Sequence, residues 1–173
     1  CVVGLGEYTT GVMGNSESLK QKALEACENS GEYATKLDFN RYLKKCIKSE
    51  KAVIGVCLGS QLIGEALGAN FEHSPEKEIG VFPIQLTDDG LKDEKINHFG
   101  SSLLVGHWHN DMPGLTTDSK ILATSTGCPR QIVAYSNLVY GFQCHIEFNP
   151  EVIELLIAEE ENILSNNVTH KYV

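Results

Sequence analysis

The chain has 173 residues, of which 42% are hydrophobic and 21% charged, a balance typical of one globular domain large enough to bury a core. Its net charge of −9 argues against a nucleic-acid-binding surface, and no apolar run approaches the length of a membrane span. No signal peptide is recognisable, and the six cysteines form no CxxC pair, so we predict free thiols in a cytoplasmic protein.

The first half of the chain alternates strands and helices. CVVGL at the start predicts a short buried strand, and the Gly- and Thr-rich stretch after it predicts a loop. Asp38 could cap the helix that follows. KAVIGVC then predicts a buried strand, and SQLIGEALG predicts a helix that Gly68 closes.

The second half is rich in strands. GVFPIQL, SLLVGHWH, KILATS, QIVAYS and LVYGFQCHIEF all have β patterns. NPEVIELLIAEEENIL predicts a late helix with Asn149 as its N-cap and Pro150 in its first turn. The order of these elements predicts an α/β fold, a three-layer sandwich with a mostly parallel central sheet and a late antiparallel extension.

The stretch GVCLGSQ places Cys57 where a buried strand turns sharply into a helix. Such a turn exposes the thiol at the carboxyl edge of the sheet and aims the helix N-terminus at its sulfur. Gly55 and Gly59 permit the sharp backbone, and the Leu58 N–H would point at an oxyanion on a substrate carbonyl. The alternative is a buried structural cysteine at a strand end.

The stretch QCHIEF places His145 and Glu147 two residues apart on a predicted strand, where alternate side chains share a face. This spacing suits a base that a carboxylate orients, so Cys57, His145 and Glu147 form a candidate triad. The alternative is a polar strand edge near the surface. The two segments in this order favour a nucleophilic cysteine.

Both segments resemble the motifs of class I glutamine amidotransferases. GVCLGSQ is similar to the G-x-C-x-G-x-Q nucleophile turn of that family, and GFQCHIEF is similar to its G-x-Q-F-H-P-E segment. Between them, KEIGVFPIQLT and the stretch from His107 to Tyr135 resemble stand-alone proteins related to the glutaminase domain of GMP synthase. The resemblance runs from about Lys36 to Ile157.

The resemblance implies that the chain is an enzyme that hydrolyses the side-chain amide of glutamine to glutamate and ammonia. Cys57 would form a γ-glutamyl thioester, His145 would carry the proton to the leaving ammonia, and Glu147 would orient His145. A synthetase or acceptor-substrate partner would take the ammonia. The residues that the resemblance implies for glutamine binding are Leu58, Gly59, Gln61, His109 and Asp111.

The stretch HWHND also contains the residue types of a metal site. His107, His109 and Asp111 could act as ligands, and His145 could join them. An HxH pattern alone is a weak signal, and the resemblance places this stretch beside the glutamine pocket. We therefore predict no metal and no cofactor.

The sequence departs from the family before the nucleophile. Family members carry strand and helix units there, and a GGP loop that supplies a second oxyanion donor. We treat residues 1–35, which contain no GGP, as an unmatched N-terminal segment, and residues 36–173 as the amidotransferase-like part of a single domain. The family's N-terminal units are thus predicted to be missing or replaced. Two alternatives to a glutaminase stay open: a γ-glutamyl peptidase with the same triad, and a catalytically weak glutamine-binding or regulatory module.

Overall fold

The computed structural model of the chain describes residues 2–4 and 36–154. The described elements, in chain order, are β1 (Val2–Gly4), α1 (Lys36–Lys48), β2 (Val53–Val56), α2 (Leu58–Ala66), β3 (Glu72–Leu86), α3 (Asp88–Lys92), a 3₁₀ turn (Asn97–Phe99), β4 (Ser102–Met112), β5 (Lys120–Thr124), β6 (Ile132–Ser136) and β7 (Val139–Phe142), and residues 150–154 begin a helix α4. Within these residues, no helix is long and apolar enough to cross a membrane.

The strands form one seven-stranded sheet in the order β1-β2-β7-β6-β5-β3-β4. β1, β2 and β7 run parallel to one another, and the other neighbours are antiparallel. The predicted α/β fold with an antiparallel extension is confirmed. In the described part of the chain the antiparallel pairs outnumber the parallel ones, because β4 to β7 follow one another through connections too short for crossover helices.

Alternate residues of the central strands face two separate cores, as the period of a strand requires. In β6, Val133 and Tyr135 face α1 and α2, whereas Ile132 and Ala134 face the other side. The core under α1 and α2 comprises Leu43, Cys46, Val53, Leu62, Ile63, Ala66, Val133, Tyr135 and Val139. The core on the opposite face comprises Ile84, Leu86, Ile96, Val105, Leu122, Ala123, Ile132, Ala134, Tyr140, Phe142 and Cys144.

The parallel strands bring the two predicted catalytic segments together. Val56 at the end of β2 pairs with Phe142 at the end of β7, and the Cys57 N–H donates to the Phe142 carbonyl over 2.7 Å. Gly4 at the end of β1 is level with Val56. The segments after β2 and β7 therefore leave the sheet side by side, at the same edge.

Two helix boundaries test the predicted caps. The Asn149 side chain accepts a hydrogen bond from the Val152 N–H at 2.9 Å, which confirms the predicted N-cap of α4. Gly68 lies just after α2 with φ 92°, as expected of a glycine that closes a helix. The helix α1 begins at Lys36, so Asp38 lies inside its first turn and does not cap it.

Two strands differ from their predicted extent. β3 begins at Glu72, eight residues before the predicted GVFPIQL, because Glu72 and His73 pair with the far end of β4, beyond a register shift between His73 and Glu78. β7 ends at Phe142, although the whole of LVYGFQCHIEF has a strand pattern. The residues after Phe142 turn away from β2 because His145 pairs with β4 instead.

Candidate active site

Cys57 lies at the junction of β2 and α2 in a strained backbone conformation. Its φ is 52° and its ψ is −114°, a region that non-glycine residues rarely adopt. The turn is so tight that a Cβ on Gly55 would lie 2.4 Å from the Gly59 carbonyl oxygen. The predicted sharp turn, with its requirement for glycine at position 55, is therefore present.

The Cys57 thiol is half-buried among polar groups. Its Sγ lies 3.9 Å from the Trp108 carbonyl oxygen, and the Gln143 Nε2 donates to it over 3.6 Å. Interaction with this thiol acts to raise the pKa of the His145 ring. Leu58 is the first residue of α2, so its N–H is one of the four that lack an acceptor within the helix. The role of this N–H as an oxyanion donor stays a prediction.

His145 is held from two sides. Its backbone N–H donates to the Gly106 carbonyl over 2.8 Å, and its carbonyl accepts from the Gly106 N–H over 3.0 Å, which ties it to β4. The Phe148 ring stacks on the imidazole with centroids 4.1 Å apart. The prediction that His145 and Glu147 lie on one strand is wrong, because each follows the end of β7 and only the single bridge to Gly106 holds this segment.

Glu147 nevertheless contacts His145 as predicted. Its Oε1 lies 2.7 Å from the His145 Nδ1, which leaves Nε2 for the thiol. Burial by itself acts to lower the pKa of His145, but the hydrogen bonds with Cys57 and Glu147 outweigh it and raise the pKa to about 9. The imidazole is therefore protonated at neutral pH and can donate a proton to a leaving group.

Gln61 and Gln143 form a buried amide pair beside the nucleophile. The Gln61 Nε2 donates to the Gln143 Oε1 over 3.1 Å, and the Ser60 hydroxyl donates to the same oxygen over 3.3 Å. Sequence reasoning selected Gln61 but not Gln143. The signal was the position of Gln143 in GFQCHIEF, two residues before His145, where it follows the last residue of β7.

In the structure, His109 and Asp111 each contact a residue other than Cys57. The His109 ring lies in a buried cluster with Glu78 and His107, and the Asp111 Oδ1 lies 2.6 Å from the exposed His73 Nδ1. The roles of His109 and Asp111 in substrate binding stay predictions. Gln61, by contrast, is next to the Gln143 that contacts Cys57.

Glu78 is a buried carboxylate that sequence reasoning missed. Burial acts to raise its pKa, but its contacts with His107, His109 and Ser125 outweigh burial and hold the pKa well below its usual range. Burial also lowers the pKa of His109. The ligand atoms of Glu78, His107 and His109 all lie within 4.8 Å of one another, so these three residues could hold a metal ion.

The other described cysteines are structural. Cys46, Cys128 and Cys144 are fully buried, and burial raises the pKa of the Cys128 and Cys144 thiols. Cys144 packs in the core on the face of the sheet away from α1 and α2. Among the described cysteines, Cys57 alone is partly exposed.

A family model and a similar curated protein identify the family of the chain. Residues 30–163 match the family model described as glutamine amidotransferase class-I. A glutamine amidotransferase-like protein of Salmonella typhimurium, YfeJ, is 56% identical over 131 residues, which are 76% of this chain and 55% of that protein.

Two solved structures are also similar to this chain. The crystal structure of SMU.1228c is 46% identical, with a TM-score of 0.73 over 82% of this chain and 64% of that one. A glutamine amidotransferase of Thermotoga maritima is 25% identical, with a TM-score of 0.69 over 95% of this chain and 64% of that one. The chain thus spans less than two thirds of the length of these relatives.

Proposed function

The chain belongs to the class I glutamine amidotransferase family, and from that premise we propose that it hydrolyses the side-chain amide of glutamine to glutamate and ammonia through a γ-glutamyl thioester on Cys57. One observation carries the proposal. The thiol lies at the strained turn, its interaction with the His145 ring acts to raise the pKa of that ring, and the Glu147 carboxylate lies 2.7 Å from the His145 Nδ1.

The proposed reaction has two halves. The Cys57 thiolate attacks the amide carbon, and the Leu58 N–H stabilises the negative oxygen that results. Protonated His145 gives its proton to the amide nitrogen, so the C–N bond breaks and ammonia leaves. Neutral His145 then takes a proton from water, whose oxygen attacks the thioester. The C–S bond breaks, glutamate leaves, and the Cys57 thiolate and protonated His145 are restored.

The surroundings of the thiol support binding of a polar amide. Gln143 presents its amide N–H groups toward Cys57, while its oxygen is occupied by Gln61 and Ser60. We propose that Gln61, through this pair, keeps Gln143 in place beside the substrate. Leu58, whose side chain is exposed, leaves the approach to the thiol open.

The destination of the ammonia is a separate proposal. Transfer, as opposed to hydrolysis, needs an acceptor, and we propose that a synthetase partner supplies it. The free state of the described cysteines, Cys46, Cys57, Cys128 and Cys144, supports a reducing compartment such as the cytoplasm.

Trapping of the intermediate tests the mechanism. Protein mixed with glutamine is quenched in acid, digested and analysed by mass spectrometry. We expect a γ-glutamyl adduct on the peptide that carries Cys57 and none on the peptide that carries Cys128. An adduct that persists in Cys57→Ser protein would overturn the assignment of the nucleophile.

A γ-glutamyl peptidase would form the same adduct, so substrate preference needs its own measurement. We expect kcat/KM for glutamine to exceed that for a γ-glutamyl dipeptide. The reverse order would assign the triad to peptide hydrolysis.

A further inference from the structure

A second group of ligand-type side chains lies apart from the triad, between β3 and β4. Glu78 comes from β3, and His107 and His109 come from β4, where alternate residues share a face. All three are buried, with 5%, 1% and 6% of their surface exposed. We call these three residues the Glu–His–His cluster.

One ligand atom from each residue of the Glu–His–His cluster lies at the same distance from the other two. The His107 Nδ1 and the His109 Nε2 each lie 3.4 Å from the Glu78 Oε2, and they lie 3.4 Å from each other. N–H···O hydrogen bonds are usually about 2.9–3.0 Å long, so these contacts are long for direct bonds. Ligands about 2.0–2.1 Å from a tetrahedral Zn²⁺ ion stand roughly 3.3–3.4 Å apart. The three atoms therefore have the spacing of one face of a zinc tetrahedron.

Gln131 lies near the fourth corner, although its 2.6 Å distance to the Glu78 Oε2 is shorter than a tetrahedral edge. Its Nε2 lies 3.2 Å from the His107 Nδ1, 3.3 Å from the His109 Nε2 and 2.6 Å from the Glu78 Oε2. Its Oε1 is buried without a hydrogen-bond partner among the described residues. Heavy-atom positions alone do not distinguish the two orientations of an amide, and the turned amide places an oxygen, which is a metal ligand, at this corner.

Neighbouring groups hold two of the three ligands, His107 and Glu78, whereas the Nδ1 of His109 is buried without a hydrogen-bond partner among the described residues. The His107 Nε2 lies 3.3 Å from the Phe82 carbonyl, and a ligating histidine commonly donates its other ring N–H to such an acceptor. The Glu78 carboxylate accepts from the Ser125 hydroxyl at 2.8 Å and from the Gly127 N–H at 3.1 Å. The Ser125 hydroxyl lies 2.8 Å from the second oxygen, Oε2, as well and 2.9 Å from the Gln131 Nε2, so these bonds fix the carboxylate within the cluster.

We propose that Glu78, His107, His109 and Gln131 form a buried structural metal site that takes Zn²⁺. Two imidazoles with oxygen donors at tetrahedral spacing suit zinc better than calcium or magnesium, which prefer six or more oxygen ligands. The ion links β3, β4 and Gln131, the residue just before β6. Because the Trp108 carbonyl contacts the Cys57 Sγ from the same strand as both histidines, the ion also fixes β4 against the nucleophile.

Metal binding by the whole chain is the direct test. Protein stripped with a chelator is titrated with Zn²⁺ and, separately, with Co²⁺, whose absorption bands report tetrahedral coordination. We expect one equivalent of either ion, tetrahedral Co²⁺ bands and a Tm that rises with Zn²⁺. Failure of the folded wild-type protein to bind either ion at micromolar concentration would overturn the proposal.

Two variants separate a metal site from a network of hydrogen bonds. His109→Asn should weaken Zn²⁺ binding about 100-fold, whereas His73→Asn, which removes an exposed histidine, should not. Gln131→Glu places a second carboxylate beside Glu78. In a metal-free network this variant is destabilised with or without Zn²⁺, but in a metal site Zn²⁺ restores its Tm and binds more tightly.

Gln85→Glu, on the exposed part of β3, is the matched control for the added charge. Its Tm should not respond to Zn²⁺ differently from that of the wild type. A Gln131→Glu protein that Zn²⁺ does not rescue, together with unchanged Zn²⁺ affinity in His109→Asn, would contradict the site even if the wild type bound an ion elsewhere.

Discussion

At the residue scale, the proposed hydrolysis depends on the charge of the His145 imidazole. His145 contacts the Cys57 thiol through one ring nitrogen and the Glu147 carboxylate through the other, and these two partners raise its pKa to about 9 against the effect of burial. In the proposed reaction, a protonated His145 gives its proton to the amide nitrogen that leaves as ammonia.

Glu147→Gln should move the alkaline limb of the pH profile to lower pH. The carboxylate is one of the groups that raise the pKa of His145, so its removal lowers that pKa and the imidazole loses its proton earlier. We also expect kcat to fall about tenfold or more. The measurement is kcat/KM for glutamine between pH 6 and 10, with Glu151→Gln on α4 as the control. An alkaline limb that stays in place would contradict the role given to Glu147.

Gln143→Glu should slow alkylation of Cys57. The change removes the N–H donor that lies 3.6 Å from the sulfur and places a negative charge there, which disfavours the thiolate. One oxygen of the new carboxylate can still accept a hydrogen bond from the Gln61 Nε2. We expect the rate of reaction with iodoacetamide at pH 7 to fall about tenfold, with Gln85→Glu unchanged. Equal rates in folded wild-type and Gln143→Glu protein would show that Gln143 does not tune the thiol.

The sequence indicated the candidate triad residues better than it indicated the buried polar residues of the Glu–His–His cluster and its neighbour Gln131. Cys57, His145 and Glu147 could be selected because each belongs to a local pattern of few residues. Glu78 and Gln131 could not, because the fold brings them to His107 and His109 from distant parts of the chain. Each looks like an ordinary polar residue of a strand or loop in the sequence.

At the element scale, the strained turn between β2 and α2 depends on the packing of α2 against the strand. Gly55 lies so close to the Gly59 carbonyl that a methyl group cannot fit without moving the helix. The strand–turn–helix pattern predicted this turn. It did not predict the end of β7, because His145 forms a bridge with β4, which is remote in sequence, and the segment after Phe142 therefore turns away from β2.

Gly55→Ala should therefore damage both activity and stability. Its Cβ would lie 2.4 Å from the Gly59 carbonyl oxygen, so α2 must shift and Cys57 must lose its position. We expect at least a 100-fold loss of glutaminase activity and a lower Tm. Gly68→Ala is the control, because a Cβ there meets open space and only the positive φ is strained. Full activity in Gly55→Ala would contradict the account of the turn.

For the whole molecule, the open question is whether the chain turns glutamine over or only binds it. It spans 55% of YfeJ and contains no GGP loop, whereas the triad residues are all present. The sequence predicted the α/β fold and the family, since both follow from ordered patterns along the chain. It predicted a mostly parallel central sheet with a late antiparallel extension, and among the described strands that extension contributes more pairs than the parallel part, because pairing depends on which strands become neighbours.

Binding can be measured apart from turnover. Cys57→Ser protein at a glutamine concentration of about 100 Kd should gain roughly 2.7 kcal/mol of stability, a rise in Tm of roughly 5–10 °C. Asparagine, which is one methylene shorter, should give a smaller rise. An unchanged Tm at millimolar glutamine would argue against a glutamine pocket in this chain.

Release of ammonia from glutamine tests the central claim most directly. The purified wild-type protein is compared with Cys57→Ser and with Cys128→Ser, which removes a buried thiol away from the site. We predict release by the wild type and by Cys128→Ser, and none above background by Cys57→Ser. Equal release by Cys57→Ser, or no release by a folded wild-type protein that glutamine stabilises, would contradict the claim that Cys57 catalyses hydrolysis of the amide.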